Sequence, residues 1–246
     1  MKIIIKPLTC LLLAFALSAS AASAPLKIIT IHGAPWGFIG SDGQPTGMMY
    51  EISNRIAEVA GFSYTNALVP YARTALDIEN GNADFVLRFS NDQIARSAVP
   101  VATIVTMPII AVGPKGTQFR TINDLHGKTV GVVRTSRYVA SFDTDSAILK
   151  YAVNDYPTMA KMISMRRLDA GVGSSAGFYY GAYMAGISPE QFGPPLVLGS
   201  NDFILFYSKK NATPETIKAL KKAVDKLTAS GEIKQIVNKY TAPHRP

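Results

Sequence analysis

Short β-branched and aliphatic runs alternate with stretches of helical period along almost the whole chain. That alternation restricts the fold to α/β sheets whose strands are joined by crossover helices. Leu26 to Ile31 reads as the first strand. Met48 to Ala60 follows as a helix, with Met48, Ile52, Ile56 and Val59 on one face and Gly61 as its stop. Phe62 to Val69 reads as a strand, and Pro70-Tyr71-Ala72-Arg73 opens a helix that ends near Asn80. A turn at Gly81 leads to a short apolar strand from about Phe85 to Phe89, then to a polar loop ending at Arg96.

In such sheets ligands bind at the carboxyl ends of strands. The loop after Phe89 is therefore a candidate site. Arg96 is its first candidate anion holder, because a guanidinium fork matches a carboxylate. A solvated loop arginine fits the local pattern as well. Trp36, the only tryptophan, lies in a loop just after the first strand and reads as a core lid or, preferably, a pocket wall. His32 reads as a structural residue.

Val101 to Val112 is a long apolar run that reads as a strand leaving a first lobe for a second. Thr121 to Leu125 is a short helix, and Thr129 to Val133 a strand ending in the loop Arg134 to Tyr138. Thr135 and Ser136 there are good N-cap residues, and a helix start favours anions. Pro157 to Leu168 and Ser175 to Ala185 read as helices, separated by a short strand that ends at Ser174. Pro194 to Leu198 and Phe203 to Tyr207 read as two more strands, the second returning to the first lobe. Thr213 opens the last long helix, and Gly231 to Tyr240 is a final short one. Two crossing strands imply two α/β lobes with a cleft between them.

The N-terminus has the form of a secretory leader: Lys2 and Lys6, an apolar stretch from Leu8 to Leu17, then small residues to Ala24. Cleavage is expected after Ala24 or Ala22. The formal charge of +8 falls by two with the loss of Lys2 and Lys6. The lysines near the C-terminus read as wet helix faces, and export argues against a nucleic-acid partner. Cys10 is the only cysteine, so disulfides and cysteine metal sites are excluded from the exported chain.

Several motifs occur together in one order: Pro35-Trp36-Gly37-Phe38 with Gly47, Pro70 to Leu76 with Gly81 and Asp84, Arg96, Asp124 to Val132, Leu168-Asp169-Ala170, and the Gly231 to Tyr240 ending. In this the chain resembles the family 3 periplasmic solute-binding proteins, with the type II two-lobe fold. The resemblance implies an α/β protein with a ligand cleft between lobes joined by two crossing strands. Lobe 1 is expected over residues 25–110 plus 200–246, and lobe 2 over 111–199. It further implies a monomeric periplasmic protein without cofactor, metal or catalysis. Such a protein would carry a small anionic or zwitterionic solute to an inner-membrane ABC permease. A membrane sensor is the alternative partner, and a dehydratase of the cyclohexadienyl type the enzymatic one.

The resemblance also implies site positions. Arg96 corresponds to the carboxylate-binding arginine, and Tyr71 to the pocket wall. Arg88, Phe89 and Asn91 correspond to strand-end positions, and Thr135, Ser136 and Arg137 to the helix start in lobe 2. Ser174 stands where amino-acid binders usually carry an aspartate for the ligand ammonium. With Arg88 and Arg137 added, a cationic amino acid is disfavoured, unless Asp143, Asp145 or Asp202 takes over that role.

Overall fold

The computed structural model describes residues 24–134 and 136–241. The expected leader, except Ala24, and Thr135 lie outside them. In chain order the strands and helices are β1 (Leu26–Ile31), β2 (Phe38–Ile39), β3 (Pro45–Thr46), α1 (Met48–Ala60), β4 (Tyr64–Val69), α2 (Tyr71–Asn80), β5 (Phe85–Arg88), α3 (Asp92–Ser97) and β6 (Ala98–Val112). They continue with β7 (Thr129–Val133), α4 (Ala140–Asp143), β8 (Leu149–Val153), α5 (Tyr156–Ser164), β9 (Ala170–Ser174), α6 (Ser175–Met184), β10 (Leu196–Ser208), α7 (Pro214–Ala229) and α8 (Glu232–Thr241).

Eight strands form one sheet in the order β4-β1-β5-β10-β6-β9-β7-β8. The first lobe holds β4, β1 and β5, which run parallel. The second holds β9, β7 and β8, also parallel. Antiparallel β6 and β10 run through both lobes, side by side from Ala98–Ser208 to Ala111–Leu196. β6 gains its second neighbour, β9, only from Ile109 onward. Pro100 and Pro108 therefore sit where one edge of β6 is open, which is where a strand tolerates a residue without an N–H.

Burial follows the pattern read from sequence. α1 buries Met48, Met49, Ile52, Ser53, Ile56 and Ala57, and ends at Gly61 in the left-handed region (φ 82°), where glycine costs least. β5 is buried throughout, as a central strand covered on both faces should be. Each lobe has its own apolar cores. Ala176 and Tyr180 of α6 are an exception: they belong to the largest first-lobe core, where Tyr180 packs against Phe38 and Tyr240.

Three local readings are corrected. The segment before Arg96 is a helix, α3, because Asn91 accepts the Ile94 N–H with its side chain and starts one. The two strands read around Gly199 to Asp202 are the single strand β10. Register shifts at Val197/Gly199 and Phe203/Ile204 absorb the turn-like residues without ending the ladder. The fifth helix begins at Tyr156, one residue before Pro157.

Candidate ligand-binding cleft

A cavity of about 500 Å³ lies between the lobes. Its first wall comes from strand ends of lobe 1. After β1 it takes His32, Gly33, Ala34 and Trp36; the start of α2 supplies Pro70, Tyr71 and Ala72; β5 leads into Phe89. The Phe203 ring of β10 lies 4.7 Å from that of Trp36 and 4.2 Å from that of Phe89, so three aromatic rings form a continuous floor.

The second wall comes from lobe 2. Val133 ends β7 and Arg134, Ser136, Arg137 and Tyr138 follow it, and Asn154, Asp155, Tyr156 and Pro157 follow β8. The loop after β7 is held from inside: the Val133 N–H donates to the Tyr138 hydroxyl oxygen (3.0 Å), and the Tyr138 N–H to Asp143 (2.9 Å). Burial raises the pKa of both Tyr138 and Tyr156, which keeps their hydroxyls neutral. Arg134, Arg137 and Asp155 are exposed on this wall. Asp155 is also the N-cap of α5, its Oδ1 accepting the Thr158 N–H at 2.7 Å. The wall thus offers two guanidinium groups and one carboxylate opposite an aromatic face.

The fold and cleft have clear counterparts. The family model for bacterial extracellular solute-binding proteins, family 3, matches residues 26–243. The chain belongs to this family. Within it, the "Probable amino-acid-binding protein YxeM" of Bacillus subtilis (strain 168) is 23% identical over 209 residues, or 81% of this chain and 77% of the relative. An ancestral arginine-binding protein bound to arginine superposes with a TM-score of 0.73 at 17% identity, over 89% of this chain and 99% of the other. A histidine kinase sensor domain with similarity to periplasmic binding proteins gives 0.73 at 15% identity, over 88% and 95%. These two likenesses establish the shared two-lobe fold. No helix among the described residues is long and apolar enough to cross a membrane.

In this family 3 solute-binding protein, Trp36, Tyr71, Phe89, Ser136 and Arg137 come together around the cavity. Four other expected positions lie outside its lining. Asn91 caps α3 with its side chain. Arg96 is exposed in the last turn of α3, where its carbonyl accepts a hydrogen bond from Lys209 Nζ at 2.6 Å. Ser174 is fully buried behind Tyr156 and caps α6 by accepting the Gly177 N–H. Arg88 is fully buried beneath Tyr71, with its guanidinium carbon 4.4 Å from the ring centroid. Burial lowers its pKa, while Tyr71 opposes that shift.

The acids considered as substitutes for an ammonium partner lie outside the cavity lining. Asp143 receives the Tyr138 N–H, Asp145 pairs with His126 at 2.9 Å, and Asp202 receives the Thr106 hydroxyl at 2.6 Å. The carboxylate in the lining is Asp155, which the sequence reading missed together with Arg134, Tyr138, Asn154, Tyr156 and Phe203. A signal for it existed: Asp155 stands two residues before Pro157, the pattern of a helix N-terminus, directly after a strand.

Proposed function

We propose that this protein binds a small carboxylate-bearing solute in the cleft and delivers it to an inner-membrane ABC transporter by closing its lobes. The observation that carries the reading is the placement of Arg134 and Arg137 on one wall of a cavity whose opposite wall is aromatic. Guanidinium groups recognise carboxylates by charge and by paired N–H donors. The aromatic floor takes the apolar part of the same solute. Asp155 provides a counter-charge for one ammonium, so an acidic amino acid complements the lining group by group. A dicarboxylic organic acid satisfies the two arginines alone.

The ligand touches both walls only when the lobes are together, and so shifts the population towards the closed form. The match to a family of solute-binding proteins supports a carrier over a catalyst. Presentation to a membrane sensor uses the same closure; the likeness to a sensor domain supports that destination as the second reading.

A thermal-shift screen of amino acids and organic acids tests the proposal. A solute that binds only the folded protein raises its stability, by about 2.7 kcal/mol at a concentration of 100 Kd. Acidic amino acids or dicarboxylates should raise the unfolding temperature, and Arg137→Ala should cut the rise by about half or more. A response confined to solutes without a carboxylate would refute it.

A further inference from the structure

Arg88 carries a charge that no described acidic side chain balances. Its side chain is wholly buried at the end of β5. Nη1 donates to Thr74 Oγ1 at 2.6 Å and Nε to the Phe89 carbonyl at 3.1 Å, both neutral acceptors. Among the described residues Nη2 has no hydrogen-bond partner. Among the described residues no carboxylate forms an ion pair with it. Asp77, an acid of α2, is paired with Arg73 at 3.1 Å. A guanidinium stays protonated even where burial disfavours its charge, so this is a standing positive charge inside the protein. Burying one without a counter-ion is costly.

The cavity is one ring away. Tyr71 lines it, and Arg88 occupies a face of the same ring. We infer that Arg88 is a specificity-determining residue that acts through Tyr71, making the lobe 1 wall electropositive so that the cleft selects solutes of net negative charge. This rests on the reading of the cleft as a carboxylate site. It assigns charge selection to a residue that does not touch the ligand.

Two physical facts make the effect large. Arg134 and Arg137 are exposed, so solvent and salt screen them. Arg88 acts across protein, where screening is weaker. The Arg88 cation held on the Tyr71 ring also weakens that ring's pull on an ammonium. With an effective dielectric constant of about 20 and a separation of about 8 Å, the Coulomb term changes affinity on the order of 30-fold per unit of ligand charge.

The test needs no ligand. Trp36 is the only tryptophan and lines the same cavity. Its fluorescence is quenched with iodide, caesium and acrylamide at a constant ionic strength near 1 M, where the Debye length is about 3 Å and remote surface charge is screened. The wild type, Arg88→Met and Arg88→Lys are compared, with acrylamide correcting for access. The iodide-to-caesium quenching ratio should fall at least about 2-fold in Arg88→Met and recover in Arg88→Lys. An unchanged ratio in a folded Arg88→Met protein overturns the inference.

If Arg88→Met does not fold, the double variant Arg134→Gln/Arg137→Gln decides. Its ratio should stay above that of free N-acetyltryptophanamide, and a ratio equal to the free indole overturns the inference. A carboxylate screen without a binder would sink the carboxylate reading, while the quenching ratio still decides the role of Arg88.

Discussion

The backbone N–H of Ser174 donates to the Tyr156 hydroxyl oxygen at 3.3 Å, behind the wall that Tyr156 gives to the cavity. The position expected to face the ligand ammonium is thereby closed off. Tyr156 fits there because Gly173, Gly177 and Gly181 present no side chain to it; a methyl group on any of them would overlap Tyr156.

Gly177→Ala tests that fit. In an ordinary helix the change stabilises by up to about 1 kcal/mol. Here the added methyl meets the buried Tyr156 ring, and overpacking costs roughly 1–3 kcal/mol. Urea unfolding should show a net loss of stability, and a gain would mean that the contact is loose.

Arg137→Ala and Arg96→Ala should separate cleanly. Losing one charge-assisted contact costs roughly 1.5–3 kcal/mol, so Arg137→Ala should weaken carboxylate binding by about 10- to 100-fold. Arg96 is exposed on α3 and outside the lining, so its replacement should change affinity by less than about 2-fold. The opposite ranking in calorimetry would return the carboxylate clamp to Arg96.

Ligand binding should alter Trp36 emission, because the indole lines the cavity and packs on Phe203. Trp36→Ala should lose affinity along with the signal. A bound carboxylate that leaves the spectrum untouched would place the solute elsewhere.

Alkaline stability should respond at Tyr64, far from the cleft on the edge strand β4. Its hydroxyl donates to Glu58 at 2.8 Å, and burial together with that carboxylate raises its pKa to about 12. A raised pKa means that the folded state holds the proton more tightly. The contribution is therefore complete below about pH 10 and is lost as pH rises towards 12. Tyr64→Phe should flatten the fall in stability across that window; an identical pH profile would contradict the coupling.

The fold was legible because its signals are local and repeated. The α1 stripe, the stops at Gly61 and Gly81, and the buried run of β5 each follow from spacing alone. β10 was misread because Gly199 to Asp202 look like a turn, and only pairing with β6 keeps them extended. β8 was not read because four of its five residues are exposed on an edge strand, leaving little apolar pattern. Of the expected site positions, Trp36, Tyr71, Phe89, Ser136 and Arg137, all just after strands, lie in the cavity lining. Arg96 lies outside that lining because the helix started by Asn91 carries it away. Asp155 and Tyr156 went unseen since their strand did.

A calorimetric competition between L-glutamate and L-lysine bears most directly on the claim that the cleft selects net negative solutes. Glutamate should bind, with lysine weaker by at least about 100-fold, since with Asp155 paired to the α-ammonium the lysine side-chain ammonium would meet like charges and no second carboxylate in the lining. Lysine binding as tight as glutamate binding, or tighter, would contradict the account.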